Sequence, residues 1–152
     1  MELEKVAIQE MNIIDLDEVL TLENSSSLTP WSKKMFIKEM KNPLTRCYII
    51  KMDRQPKHSV IGFICFQNIK DESELHNICV NPLYRQLGMG KIMMQFYIDF
   101  CIQIGIKTFY LEVHSSNQSA IHLYQYFSYQ SFGTRKKFYQ GRFDALLMMK
   151  KV

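Results

Sequence analysis

A strand that runs into Asn81-Pro82, a helix opened by Gly88-Met89-Gly90 and a second apolar strand from Lys107 to His114 leave a folding chain few choices. Proline has no amide hydrogen with which to continue a ladder, so the strand predicted over Glu74 to Val80 stops there. Ile92, Met93, Phe96, Tyr97, Phe100, Cys101 and Ile104 recur with a period near 3.6, which gives the helix one broad apolar face, and Gly105 ends it. Two strands joined through a helix need a crossover connection. They are therefore expected to lie parallel in one sheet.

Upstream, the pattern is of hairpins. A first strand is predicted at about residues 3–10, then a helix from Asp15 to Glu23 carried by Ile13, Leu16, Val19, Leu20 and Leu22, broken by Ser25-Ser26-Ser27-Leu28-Thr29-Pro30. Ser32 stands where an N-cap belongs, and Met35, Phe36 and Met40 stripe a short helix that ends near Asn42-Pro43. Cys47–Ile50 and Val60–Phe66, separated by polar residues with Pro56, read as an antiparallel hairpin, with the next turn at Asp71-Glu72-Ser73. Downstream, Asn117 caps a helix to about Phe127, and two strands follow at Tyr129–Phe138 and Phe143–Lys150. The prediction is an α/β fold, antiparallel at first and parallel in the middle. At 152 residues, without repeat or linker, residues 1–152 are expected to form a single domain.

Composition narrows the setting. Hydrophobic residues at 47% and charged residues at 22% describe a globule rather than a disordered chain. No apolar run approaches the roughly 20 residues that span a bilayer, and Met-Glu-Leu-Glu-Lys has neither the basic flank nor the apolar stretch of a signal peptide. The expected location is the cytoplasm, with no membrane partner. Cys47, Cys65, Cys79 and Cys101 form no Cys-x-x-Cys pair and no Cys/His cluster, so they are expected as buried thiols and no metal is expected. The net charge of +4 is uneven: residues 1–24 hold seven acids and one base, whereas residues 134–152 hold six bases and one acid. Such runs are ordinarily solvated faces, and direct nucleic-acid binding is not expected.

Chemistry concentrates in two places. Arg85-Gln86-Leu87-Gly88-Met89-Gly90-Lys91 puts two glycines at a helix start, where amides converge and the helix dipole favours an anion such as a pyrophosphate. A nucleoside-triphosphatase P-loop does not fit, because Ile92 follows Lys91 in place of Ser or Thr. A dinucleotide fingerprint lacks its third glycine. The second place is Leu111-Glu112-Val113 followed by Asn117-x-x-Ala120-Ile121-x-Leu123-Tyr124. Strand alternation sends Phe109, Leu111 and Val113 to one face and Tyr110, Glu112 and His114 to the other. A carboxylate on a central strand is costly unless solvated in a cleft or paired. Taken singly, the loop is equally a tight turn and Glu112 equally an exposed strand end, while Tyr124 is more readily a core aromatic.

The order of these motifs resembles that of the GNAT (Gcn5-related) N-acetyltransferases. Pro30-Trp31-Ser32, Asn77-Ile78-Cys79-Val80-Asn81-Pro82 and Asp144-Ala145-x-x-Met148 are similar to segments of the RimI-type members, which acetylate the N-terminal alanine of a small-subunit ribosomal protein. The resemblance covers nearly the whole chain, best from Leu75 to Tyr129. It implies a mixed sheet with helices on both faces, in which the parallel central strands four and five splay apart to admit acetyl-coenzyme A. By the same resemblance, main-chain groups of Ile78, Cys79 and Val80 would pair with the pantetheine arm. Gln86, Leu87, Gly88, Met89, Gly90 and Lys91 would wrap the pyrophosphate, and Asn117 would contact the cofactor near its thiol. Glu112 takes the proton-accepting position and Tyr124 the proton-donating one, while Trp31 and Tyr139 would flank a peptide substrate. Where family members carry Gly-Phe after the Tyr-bearing helix, this chain has Ser128-Tyr129, so the turn must be made without glycine. The stretch Tyr139-Gln140-Gly141-Arg142-Phe143-Asp144 is also shorter and differently charged than in those relatives.

The chemistry is consistent with these roles. An α-amine has a reference pKa near 8, only its neutral form attacks a thioester, and a carboxylate can take its proton directly or through water. A phenol near 10 holds a proton to give to the leaving thiolate. The expected reaction is direct transfer to the N-terminus of a peptide or ribosomal protein. The alternatives are acetylation of a small amine such as a polyamine or aminoglycoside, and a non-catalytic module that binds acyl-coenzyme A or the ribosome. His114 and His76 are secondary candidates for the base.

Overall fold

In the computed structural model, which describes residues 6–52, 60–139 and 141–152, a seven-stranded sheet carries four helices. In chain order the elements are β1 (Val6–Glu10), α1 (Leu16–Ser26), α2 (Lys33–Lys41), β2 (Thr45–Met52), β3 (Val60–Ile69) and β4 (Glu72–Val80). There follow α3 (Met89–Gln103), β5 (Thr108–His114), α4 (Gln118–Tyr126), β6 (Gln130–Tyr139) and β7 (Phe143–Lys151). The strands lie in the order β1-β2-β3-β4-β5-β7-β6, and only β4 and β5 are parallel. This is the mixed sheet implied by the resemblance, with β7 inserted between β5 and β6. Residues 3–5 of the expected first strand, Pro56 and Gln140 lie outside the described residues.

Helices cover both faces. Alternate residues of the central strands, such as Ile64, Phe66, Leu75, Phe109 and Leu111, pack with Met93, Tyr97 and Cys101 of α3 and Ile121 and Tyr124 of α4. Ile49, Phe63, Cys65 and Cys79 face the other way, against Leu16, Val19 and Leu22 of α1 and Phe36 of α2. Phe36 is fully buried, edge-on to Trp31 at 5.1 Å and to Phe63 at 5.4 Å, and burial of such a ring is worth about 2–3 kcal/mol.

Several expectations shift in detail. α1 runs on to Ser26, past the predicted end at Glu23, because Ser25 turns its hydroxyl back to the Leu22 carbonyl and the chain becomes extended only at Ser27. Met35 is exposed, leaving Phe36 as the buried residue of α2, and Ser32 caps that helix by accepting the Met35 amide at 3.2 Å. The predicted turn at 71–73 moves back to Lys70, whose φ of 55° makes the corner, so Glu72 and Ser73 already belong to β4. On α3, Met94 and Ile98 join the buried face, while Ile104 lies beyond the last helical residue and is exposed. Cys47 is only partly buried, unlike the other three thiols.

One irregularity matters for the site. Cys65 pairs with Asn77 and Phe66 with Leu75, so His76 is the extra residue of a β-bulge. Asn77 faces the side of the sheet covered by α1, and the bulge brings His76 to that side as well, where it reaches Glu39 of α2.

Candidate active site

The parallel ladder between β4 and β5 begins at Glu72 and Thr108 and ends at Leu75 and Leu111, although both strands continue. Beyond that point they border a cleft of about 1130 Å³ that gathers residues from α1, β4, the glycine loop, β5 and α4. Hydrogen-bond alternation shows which main-chain groups face it. The Asn81 amide donates to Ile61 of β3 at 2.6 Å, which makes that position and, two residues back, Cys79 hydrogen-bonded pairs with β3. The amides and carbonyls of Ile78 and Val80 therefore point away from β3, toward the opening. Cys79 has its main chain engaged and its thiol turned to the Leu22 carbonyl of α1 at 3.7 Å.

The loop that follows is shaped by backbone conformation. Asn81 caps the short turn Pro82–Tyr84, Gln86 takes φ 61°, and Gly88 takes φ 83° as the residue before α3. The start of the helix thus opens onto the cleft with Gln86, Gly88, Met89, Gly90 and Lys91 in its wall. Leu87 is outside that lining and is exposed. Lys91 holds its ammonium 3.9 Å from the ring centre of Tyr126, which also lines the cleft.

Glu112 lies on the β5 face that carries Tyr110 and His114, and Arg135 of β6 binds its Oε1 at 3.1 Å. The carboxylate is thus charge-paired rather than held in apolar surroundings. It borders both the main cleft and a recess of about 250 Å³ formed with Glu74, Tyr110, Phe132, Arg135 and Leu147.

Tyr124 is buried in the cleft wall, and burial, with the neighbouring phenol of Tyr139, pushes its hydroxyl well above the ordinary tyrosine range. Its position is fixed by the end of α4. The Ser128 amide donates to Gln125 and the Tyr129 amide to Tyr124, the two bonds of a Schellman motif, and the Tyr124 and Tyr129 rings pack at 5.8 Å. Ser128 occupies the left-handed position at φ 69°. The turn is therefore made by a serine under strain. Ser128→Gly should raise stability by about 1 kcal/mol with the rate of acetyl transfer unchanged, as read by a thermal melt and a turnover assay.

The remaining predicted residues meet in the same cleft. Asn117 accepts the Ala120 amide at 3.2 Å and caps α4. Tyr139 stacks on His114 at 5.1 Å, and burial followed by the charge of Glu112 raises its phenol. Trp31 lines the cleft as well.

Two features escaped the sequence reading. Glu23 is 2% exposed, and its Oε2 accepts the Trp31 amide at 3.0 Å and the Asn77 side chain at 2.8 Å, which joins α1, the loop before α2 and the bulged strand. Burial raises its pKa. The signal was there: Glu23 follows Leu16 and Val19 on one helical stripe. The second feature concerns His114, whose Nδ1 accepts the Ser116 amide at 3.2 Å and meets the Ser116 hydroxyl at 2.7 Å. A main-chain amide can only donate, so the ring proton sits on Nε2 and no lone pair is left to accept another. His114 cannot act as the base without breaking that contact.

Known proteins share the sequence pattern and the fold of this chain. The acetyltransferase (GNAT) family profile matches residues 16–129. The [ribosomal protein bS18]-alanine N-acetyltransferase of Escherichia coli K12 is 31% identical over 144 residues, 93% of this chain and 94% of that protein. The enzyme of the same name from Haemophilus influenzae is 30% identical over 145 residues, 93% and 95% of the two chains. The crystal structure of the ribosomal-protein-S18-alanine N-acetyltransferase from Escherichia coli has a TM-score of 0.85 at 27% identity, covering 97% of this chain and 94% of that one. Arabidopsis thaliana NAA60 in complex with acetyl-CoA, at 17% identity, shares the fold with a TM-score of 0.85, covering 97% of this chain and 98% of that one. With a splayed parallel pair, a glycine-opened helix and a profile match across most of its length, this chain belongs to the acetyltransferase (GNAT) family and is an acetyltransferase.

Proposed function

We propose that residues 1–152 act as one catalytic domain that transfers an acetyl group from acetyl-CoA to the α-amino group of a protein N-terminus, with an alanine-initiated ribosomal protein as the favoured substrate. The observation that carries this reading is the single cleft into which the open edge of β4, the first turn of α3, Glu112 and Tyr124 all project. Its parts suit the donor. Main-chain groups of Ile78 and Val80 on the open edge of β4 match the amide groups of a pantetheine arm as an added strand would, the Arg85 Nε that now donates to the Val80 carbonyl at 3.4 Å giving way. The α3 N-terminus, with Arg85 and Lys91 beside it, suits a pyrophosphate.

On this reading the amine enters from the end bordered by Trp31 and Tyr139. Glu112 takes a proton from nitrogen as the C–N bond forms and the C–S bond breaks, directly or through water. An amide of β4 facing the wedge supports charge on the carbonyl oxygen. Tyr124 donates to the departing sulfur. Because its phenol is a weaker acid than a thiol, it stabilises the sulfur chiefly by a charge-assisted hydrogen bond, and burial of any phenolate returns the proton at once. Holding amine and thioester together supplies much of the acceleration.

The test is a thiol-release assay with acetyl-CoA and a panel of acceptors. Alanine-initiated peptides should be turned over faster than peptides blocked at the N-terminus and faster than spermidine or an aminoglycoside. Faster turnover of a small amine would move the substrate class, and no release with any acceptor would reject catalysis.

A further inference from the structure

The wedge holds a second proton-handling group besides Glu112. His76 is the bulge residue immediately after Leu75, the last β4 residue paired with β5, and it lines the same cleft as Glu112. Its Nδ1 lies 3.1 and 2.9 Å from the two carboxylate oxygens of Glu39 on α2. A carboxylate only accepts, so Nδ1 carries the proton and, in the neutral ring, Nε2 keeps its lone pair. Both side chains are 19% exposed, which leaves a route to solvent.

Proton counting gives such a pair a task. Near neutrality most of an α-amine is the ammonium, and two protons must leave its nitrogen before the amide is complete. One ends on the sulfur of the released thiol. The other has to leave the protein. Glu112, already paired with Arg135, serves one transfer at a time.

We infer that the Glu39–His76 pair receives the proton of the incoming ammonium at Nε2, directly or through water, and passes it to solvent, so that Glu112 meets a neutral amine. This rests on the wedge being the acetyl-transfer site. The step balances: the N–H bond of the ammonium breaks, an N–H bond forms at Nε2, the imidazolium is held against the Glu39 carboxylate, and bulk water takes the proton before the next turnover. The charges acting on the imidazole are Glu39 from α2 and Glu74 on its own strand; Glu23 of α1 and Glu112 of β5, the latter paired with Arg135 of β6, line the same cleft. The hydrogen bond to Glu39 raises the His76 pKa against the opposing effect of burial. Its neutral form therefore grows in as pH rises through a value above 6.5.

The experiment compares the parent with His76→Gln and Glu39→Gln on two acceptors, an alanine-initiated peptide and the same peptide initiated by trifluoroalanine, whose electron-poor amine is already neutral at about pH 7. With the ordinary peptide, His76→Gln should lose on the order of 10- to 100-fold in kcat/KM near neutrality, and the deficit should close above the pKa of the amine. With the fluorinated peptide it should run close to the parent at every pH. Glu39→Gln should move the acid limb of the ordinary-peptide profile to lower pH. A loss of equal size on both acceptors and at all pH values would show that the pair only ties α2 to the bulge, and an unchanged His76→Gln profile would also overturn the inference. If the parent turned over no peptide but acetylated small amines, the same comparison would run on propylamine and trifluoroethylamine, which separates failure of the peptide reading from failure of this one.

Discussion

Tyr124→Phe is expected to lower kcat/KM for acetyl transfer by about 100- to 1,000-fold while leaving the melting temperature unchanged. The reason for this split is local. The ring is one wall of the core between α4 and β5, and phenylalanine preserves its packing at 5.8 Å from Tyr129. The hydroxyl, in the cleft wall, makes no hydrogen bond to any described residue, so its removal leaves no protein partner unsatisfied. Activity is what remains for it to serve. Glu112→Gln should fall in the same range, with a different signature: loss of a carboxylate leaves Arg135 without its partner and removes the acceptor rather than the donor. Steady-state kinetics with a thiol reagent, alongside a thermal melt, decide the matter. Parental turnover in both variants would mean that neither group handles the proton assigned to it.

Gly62→Ala should be among the most destabilising single-methyl changes in the chain. An added Cβ would stand 2.4 Å from the Cys79 carbonyl oxygen and 3.1 Å from the Met93 side chain. The methionine can bend away, but the carbonyl belongs to β4. Strands β3 and β4 would have to part at the stretch whose other edge borders the cleft. The cost is about 1–3 kcal/mol, which for a chain of this size lowers the melting temperature by roughly 3–10 °C. Coenzyme A affinity should drop as well, because Ile78 and Val80 on either side of Cys79 would move with it. Calorimetric titration of the variant with coenzyme A checks this, and parental affinity together with parental stability would show that the two strands yield more easily than a packed sheet should.

Much of this fold is legible in the amino-acid sequence. Prolines and glycines mark ends because they lack a donor or a side chain, and an apolar stripe at 3.6 spacing survives in any context, so α3, the β4–β5 crossover and the caps at Ser32 and Asn117 were legible. Local signals misled where tertiary contacts decide: Lys70 and Ser128 accept left-handed conformations that their residue types disfavour, and Met35 and Ile104, apolar and correctly spaced, face solvent.

The candidate site divides in the same way. Motif order named Glu112, Tyr124, Asn117 and the glycine loop because each is tied to a nearby strand or helix end. Nothing in the order of residues tells that Arg135 lies against Glu112, that Glu39 reaches across 37 positions to His76, or that Glu23 reaches across 54 to Asn77. Those pairs depend on which strands become neighbours and on one bulged residue that turns His76 toward α2. Sequence alone determined the type and order of the elements, since these follow from short-range periodicity and backbone chemistry. Only the tertiary structure decided which charges meet, because a hydrogen bond depends on distance in space and is indifferent to distance along the chain.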